Sequence, residues 1–157
     1  MQTDPRVVDA LNDVLTAELT AVNQYFIHAK MTANWGYDRL AARVRDESID
    51  EMKHAEQLIE RILYFEGVPN MQRLFPVRVG EAVLEQLELD LEVEKEAIPR
   101  FNRAVALCVE VGDNGTRELL AEMLVSEEEH ADWLETQLET IRQIGLENYL
   151  AQQLHDD

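Results

Sequence analysis

The sequence predicts an all-α fold: a four-helix bundle with a long crossover between helices two and three and a short C-terminal fifth helix. Three observations carry that prediction. The 157 residues include only 6 Gly and 4 Pro, while Leu, Glu and Ala are plentiful, a helix-forming composition. Apolar residues recur at alternating steps of three and four along four long stretches. Two short turns and one long connector separate those stretches, and two hairpins joined by one crossover is an established bundle form.

The elements follow from the punctuation. Asp4-Pro5 reads as an N-cap with proline at the first helical position, opening a helix over about 5–34. Trp35-Gly36 breaks it. A second helix covers about 37–66, with Gly67 as the expected stop. Residues 67–80 hold Pro69, Pro76 and Gly80 without a clear period and form the crossover, long for a link between neighbouring antiparallel helices. The third helix covers about 81–111, and Pro99 within it predicts a local kink. Gly112-Asp113-Asn114-Gly115 is a turn. The fourth helix covers about 116–144, closed by Gly145, and a short fifth covers about 146–154. Each long helix has roughly 30 residues, or about 45 Å of length. The expected organisation is a single domain, residues 1–157.

Composition excludes several functions. The chain carries 32 acidic and 14 basic residues, a net charge of −18. Nucleic-acid binding and docking on anionic lipid both need the opposite sign. Hydrophobic residues make up 46%, enough for a packed core, so the acidity is not a mark of disorder. A single cysteine, Cys108, rules out an intrachain disulfide and a four-cysteine zinc or iron–sulfur site ligated by this chain alone. It falls on an apolar stripe and is expected to be a buried, inert thiol. The longest wholly apolar run, Ala104 to Val109, is far short of a membrane span. The start, MQTDPRVVDALND, has neither a basic region nor an apolar stretch, so no secretory signal is expected and a reducing cytoplasm is the expected location.

The apolar stripes contain residues that do not belong in a core. Helix one presents Val8, Leu11, Leu15, Glu18, Val22 and Tyr25, and helix two Leu40, Val44, Glu47, Glu51, His54 and Leu58. Helix three presents Leu84, Leu87, Leu91, Glu94, Ile98, Phe101, Val105 and Cys108, and helix four Leu120, Met123, Glu127, His130, Leu134, Leu138 and Ile141. Burying one unpaired carboxylate costs several kcal/mol. Four facing each other need protons, basic partners or cations, and no basic residue lies on these stripes. Carboxylate oxygens with imidazole nitrogens suit iron, manganese or zinc. The set also repeats: Glu18, Glu51 and His54 recur as Glu94, Glu127 and His130, each displaced by 76 residues. Glu51-Met52-Lys53-His54 and Glu127-Glu128-Glu129-His130 are both Glu-x-x-His, which puts both ligands on one helix face.

With these six residues and the crossover, the chain resembles the bacterioferritins, haem-containing members of the ferritin-like di-iron superfamily. The resemblance covers the whole chain and implies a ferritin-like domain with a ferroxidase centre inside each subunit. Glu18 with His54 would hold one iron, Glu94 with His130 the other, and Glu51 and Glu127 would bridge the two. It implies iron storage and detoxification: Fe(II) is oxidised by O2 or H2O2 at two iron ions per subunit and stored as Fe(III) mineral. The shell would be a 24-subunit homo-oligomer built from dimers. Met52 follows Glu51, about 100° away from the metal stripe, and matches the family methionine that ligates haem b, one haem shared between two subunits. Leu19, Asn23, Phe26 and Ile49 would line that pocket. The haem would aid iron release, with a bacterioferritin-associated ferredoxin as possible electron donor.

Tyr25 resembles a family tyrosine implicated in electron delivery, and Trp133 is a second candidate. Leu58 stands where some members carry another tyrosine, which removes a second tyrosine route. Glu47, Asp46 and Asp50 read first as solvated charge, but Asp46 and Asp50 match positions where related cages hold an inner-surface iron. Asn34, Glu66, Asp132 and Thr136 resemble residues around a pore between subunits. His28 and His155 lack carboxylates at ligand spacing and are expected at the surface. Two alternatives stay open: a haem-free bacterial ferritin, which would not need Met52, and a di-iron oxidase or peroxidase without storage. One cysteine cannot supply the cysteine-rich module of a rubrerythrin. A mini-ferritin of the DNA-protecting kind places its ligands between subunits and often uses a basic tail, whereas residues 151–157 end in His-Asp-Asp.

Overall fold

The computed structural model describes residues 1–154. His155 and the two terminal aspartates lie outside the described residues, so the expectation for His155 does too. Five helices follow in order: α1 Pro5–Asn34, α2 Asp38–Tyr64, α3 Val83–Val111, α4 Asn114–Ile144 and α5 Leu146–Ala151. Among the described residues there is no strand. α1 packs along α2 and α3 along α4, and α1 against α3 joins the two hairpins. No helix is long and apolar enough to cross a membrane.

Side-chain caps explain the starts of α1 and α4. Asp4 accepts the Arg6 backbone N–H at 2.9 Å, and Pro5, which has no N–H to satisfy, starts α1. Asp113 caps α4 by accepting from the Thr116 N–H at 3.0 Å, so that helix starts two residues earlier than its apolar pattern suggests. The expected stop at Gly67 is corrected. α2 ends at Tyr64, and Glu66 takes the left-handed conformation, with φ +61°. Gly67 is small for a different reason: a Cβ there would lie 2.8 Å from Val8 Cγ1, where the connector meets α1. Pro99 does not interrupt α3, because it sits on an exposed face with Lys95, whose carbonyl loses its helical partner there.

The core is in two parts. One apolar cluster gathers Val7, Leu11, Leu15, Ala55, Leu58, Ile62, Phe101, Cys108, Leu120 and Met123. The other gathers Ala21, Tyr25, Leu40, Val44, Leu87, Leu91, Leu134 and Ile141. Each of the four long helices passes from one cluster to the other through a glutamate, so a charged layer divides the bundle midway. Cys108 is buried as expected, and burial pushes its thiol up to about 11.

α1 buries a wider arc than an apolar stripe predicts. Val7 and Val14 are buried and Val8 and Val22 only partly so, because the crossover covers a further face of the helix. That face is a polar ladder at spacing four: Asn12, Thr16, Thr20, Gln24, His28 and Thr32. Asn12 accepts from the Asn70 N–H, Thr20 from Phe75, Gln24 from Arg78 and His28 Nε2 from Gly80, at 2.8 to 3.0 Å. The connector has no secondary structure to satisfy its N–H groups, and α1 side chains do so instead. The surface expectation for His28 is therefore corrected. It is fully buried, and Nε2 accepts a backbone N–H, so Nδ1 carries the proton and donates to Asp90 at 2.8 Å. Asp90 also accepts from Gln24 at 3.0 Å, which locks α1 to α3 one turn from Glu94.

Candidate metal centre

The dividing layer contains all six repeated residues. Glu18, Glu51, Glu94 and Glu127 are each no more than 2% exposed, and His130 is buried with them. Helix periodicity explains the convergence, since each Glu-x-x-His pair lies on one face of α2 or α4 and Glu18 and Glu94 face them from α1 and α3. His54 Nδ1 lies 3.1 Å from Glu127 Oε1, 3.3 Å from Glu51 Oε2 and 3.4 Å from Glu18 Oε2. His130 Nδ1 lies 2.9 Å from Glu94 Oε1.

These atoms form two overlapping sets able to hold a cation. One is Glu18, Glu51, His54 and Glu127, the other Glu51, Glu94 and His130, with ligand atoms within 4.8 Å of one another in each. Glu51 belongs to both. Glu127 belongs to the first set and hydrogen-bonds His54. Among the described residues, two buried side-chain oxygens have no hydrogen-bond partner, Glu51 Oε2 and Glu94 Oε2. Buried oxygens left without a donor are costly in a folded chain, and a metal ion satisfies them. The donor chemistry and these orphaned oxygens fit a pair of divalent cations.

The electrostatics point the same way. Burial pushes the Glu94 carboxyl well above its ordinary range, and the neighbouring Glu127 adds to the rise. Burial also raises Glu18, and it lifts Glu127 to about 7 together with the charge of Glu18. Burial opposes charge on His54, but hydrogen bonds to Glu127 and Glu18 outweigh it and carry the imidazole up to about 10. His130 is raised against its burial by the hydrogen bond to Glu94. Protons held in this way are what a divalent cation displaces on binding.

The other sequence candidates divide. Tyr25 is fully buried, donates its hydroxyl to Glu94 Oε1 and meets the His130 ring edge-on. Trp133 lies alongside His130, with ring centroids 6.1 Å apart. Leu58 is buried in apolar surroundings. Met52 faces outward, half exposed, with Phe26 equally exposed on α1. Asp46 and Asp50 are exposed and belong to neither ligand set. Glu47 departs from the solvated reading: it is nearly buried, with Oε2 3.6 Å from His130 Nδ1. Asp132 and Thr136 line an open surface pocket of about 440 Å³ with Glu135 and Glu139, while Asn34 and Glu66 are exposed at other helix ends. Sequence reasoning missed Asp90 and Arg43. Asp90 had a signal in the spacing-four polar ladder opposite it; Arg43 had none.

A four-helix bundle with a crossover and a mid-bundle layer of carboxylates and histidines defines the ferritin-like class, and the chain matches the ferritin-like domain of the ferritin family over residues 8–144. It is 50% identical to the bacterioferritin of Mycolicibacterium paratuberculosis, over 97% of this chain and 96% of that one. It is 48% identical to the bacterioferritin of Mycobacterium tuberculosis over the same shares. Against the bacterioferritin of Streptomyces coelicolor the identity is 49%, over 96% of this chain and 90% of that one. The chain belongs to the bacterioferritin family.

Proposed function

We propose that this protein stores and detoxifies iron, oxidising Fe(II) at the centre formed by Glu18, Glu51, His54, Glu94, Glu127 and His130 and keeping the Fe(III) product as mineral inside an oligomeric shell. The observation that carries the reading is the pair of overlapping ligand sets that share Glu51, with Glu51 Oε2 and Glu94 Oε2 buried and orphaned.

Iron is the substrate. Two Fe(II) ions enter the paired sets, with Glu18 and His54 on one, Glu94 and His130 on the other, and Glu51 and Glu127 between them. Four carboxylates favour the higher positive charge, so the site stabilises Fe(III) relative to Fe(II). Each Fe(II) gives up one electron, and the pair together reduces O2 to the peroxide level or H2O2 to water. Paired delivery avoids one-electron oxygen species. Tyr25, hydrogen-bonded to Glu94, is positioned to supply a further electron.

The exposed Met52 and Phe26 fit a haem b held between two subunits, since a methionine thioether is a suitable axial ligand. Bound there, haem would supply electron transfer for iron release, with an associated ferredoxin as donor. The expected assembly is a 24-subunit shell in the cytoplasm. From chains of 18.1 kDa it would approach half a megadalton on size exclusion.

Stopped-flow Fe(II) oxidation tests the centre. Glu18→Ala combined with Glu94→Ala abolishes the rapid phase while the shell elutes unchanged; a retained rapid phase refutes the assignment.

A further inference from the structure

The two halves of the centre are not built alike. His54 has three carboxylates around Nδ1 and no aromatic neighbour among the described residues. His130 is held on several sides. The Tyr25 ring meets it edge-on at 5.1 Å and 86°, and the Trp133 ring lies at 25° to it, centroids 6.1 Å apart. Its Nδ1 faces two carboxylates, Glu94 Oε1 at 2.9 Å and Glu47 Oε2 at 3.6 Å. Both Trp133 and Glu47 are gripped by one side chain. The Arg43 guanidinium covers the Trp133 ring at 4.5 Å and donates from Nε to Glu47 Oε1 at 2.9 Å. Arg43 and Trp133 also line an open pocket of about 450 Å³, beside Gln137 and Tyr149.

We propose that Arg43 is a positioning residue for the His130 half of the centre: it ties Glu47 back from the ligating nitrogen and holds Trp133 against the imidazole. This rests on the metal-centre reading above. The logic is competition. Nδ1 points to Glu94 and is the nitrogen that a cation in the second set would use. Glu47 Oε2 stands a few tenths of an ångström beyond hydrogen-bond reach of the same nitrogen. The ion pair with Arg43 keeps it there. Without the guanidinium, Glu47 closes on Nδ1 and occupies it with a hydrogen bond, and Trp133 gains the adjoining pocket to move into. Arginine suits the task because its planar group can stack on an indole and bond a carboxylate at once. The other half has no such restraint, so removing Arg43 leaves the Glu18–His54 half as it was.

Co2+ titration of the assembled, metal-free protein tests this, read by d–d absorbance and calorimetry. In the unaltered protein two Co2+ bind per subunit. In Arg43→Ala one of the two affinities falls about tenfold, the scale seen when an outer-shell partner of a ligand is lost, and the other is unchanged. Arg43→Ala with Glu47→Gln recovers most of the loss, because the neutral amide competes less for the nitrogen. Arg43→Lys, which keeps the charge but not the stacking plane, falls between. Unchanged affinities in Arg43→Ala, or a loss that Glu47→Gln fails to rescue, overturn the proposal. Failure of the unaltered protein to bind two Co2+ overturns the metal-centre reading itself, and this one with it.

Discussion

Replacing Glu127 with glutamine separates what the centre costs the fold from what it does. Glu127 is 1% exposed, 3.1 Å from His54 and in the field of Glu18. Its carboxyl is lifted from 4.5 to about 7. At about 1.4 kcal/mol for each pH unit, the ionised form weakens the folded state by about 3 kcal/mol. The direction follows from the rise. Below pH 4.5 the group is neutral in both folded and unfolded chains and nothing is lost. Between 4.5 and 7 the unfolded chain ionises first and stability falls; above 7 the full penalty applies. Glutamine has nearly the same shape and never ionises. His54 acts in the opposite sense: raised from 6.5 to about 10, it adds stability below 6.5 that is lost as pH rises through 10, and removing its partner subtracts from that. The comparison is therefore cleanest between pH 4.5 and 6.5. Scanning calorimetry of the metal-free protein should find Glu127→Gln pulling ahead of the unaltered chain as pH rises. Relief of the Glu127 penalty alone is worth about 10 °C at neutral pH for a chain of this length, less what His54 loses with its partner. Adding Co2+ should reverse the order. Parallel midpoint-against-pH curves for the two proteins would refute the reasoning.

Other outcomes follow from the same geometry. Met52→Leu removes the Soret band from haem-supplemented protein while rapid Fe(II) oxidation persists, because Met52 points away from the ligand layer. Tyr25→Phe keeps Co2+ binding but abolishes any tyrosyl radical signal seen by electron paramagnetic resonance after Fe(II) oxidation. His28→Ala leaves the Gly80 N–H without its acceptor and the buried Asp90 with Gln24 as its one remaining donor among those described, and costs about 3 kcal/mol; hydrogen exchange should speed at residues 78–82 first. Proton release on Co2+ binding falls by about one per subunit between pH 6 and pH 8, as Glu127 passes through about 7, measured by calorimetry in buffers of different ionisation enthalpy.

Much of the centre was readable before folding because helix geometry is local. Spacing of three and four determines which side chains share a face, so a glutamate on an apolar stripe is visible as an anomaly without coordinates. The 76-residue repeat of Glu18, Glu51 and His54 then tied the four stripes together. The Asp4-Pro5 start and the buried Cys108 were readable for the same reason. His28 was not. Its ring is satisfied by Gly80 and Asp90, 52 and 62 residues away, and a polar side chain at helical spacing looks identical whether water or a connector covers it. The end of α2 misled in another way: glycine usually marks the left-handed cap, but here Glu66 takes that conformation and Gly67 is needed for close contact with Val8.

Periodicity, capping and charge, which neighbouring residues report, placed the four long helices to within two residues at each end, the crossover and the six residues that face inward; the fifth helix ends at Ala151, three residues short of the expected 154. Only packing shows that Glu51 belongs to both candidate cation sets, that the crossover is pinned to a polar ladder on α1, and that Arg43 reaches both Trp133 and Glu47. Those facts depend on the relative rotation and height of packed helices. Packing of the two apolar clusters sets that register, and no single helix carries it.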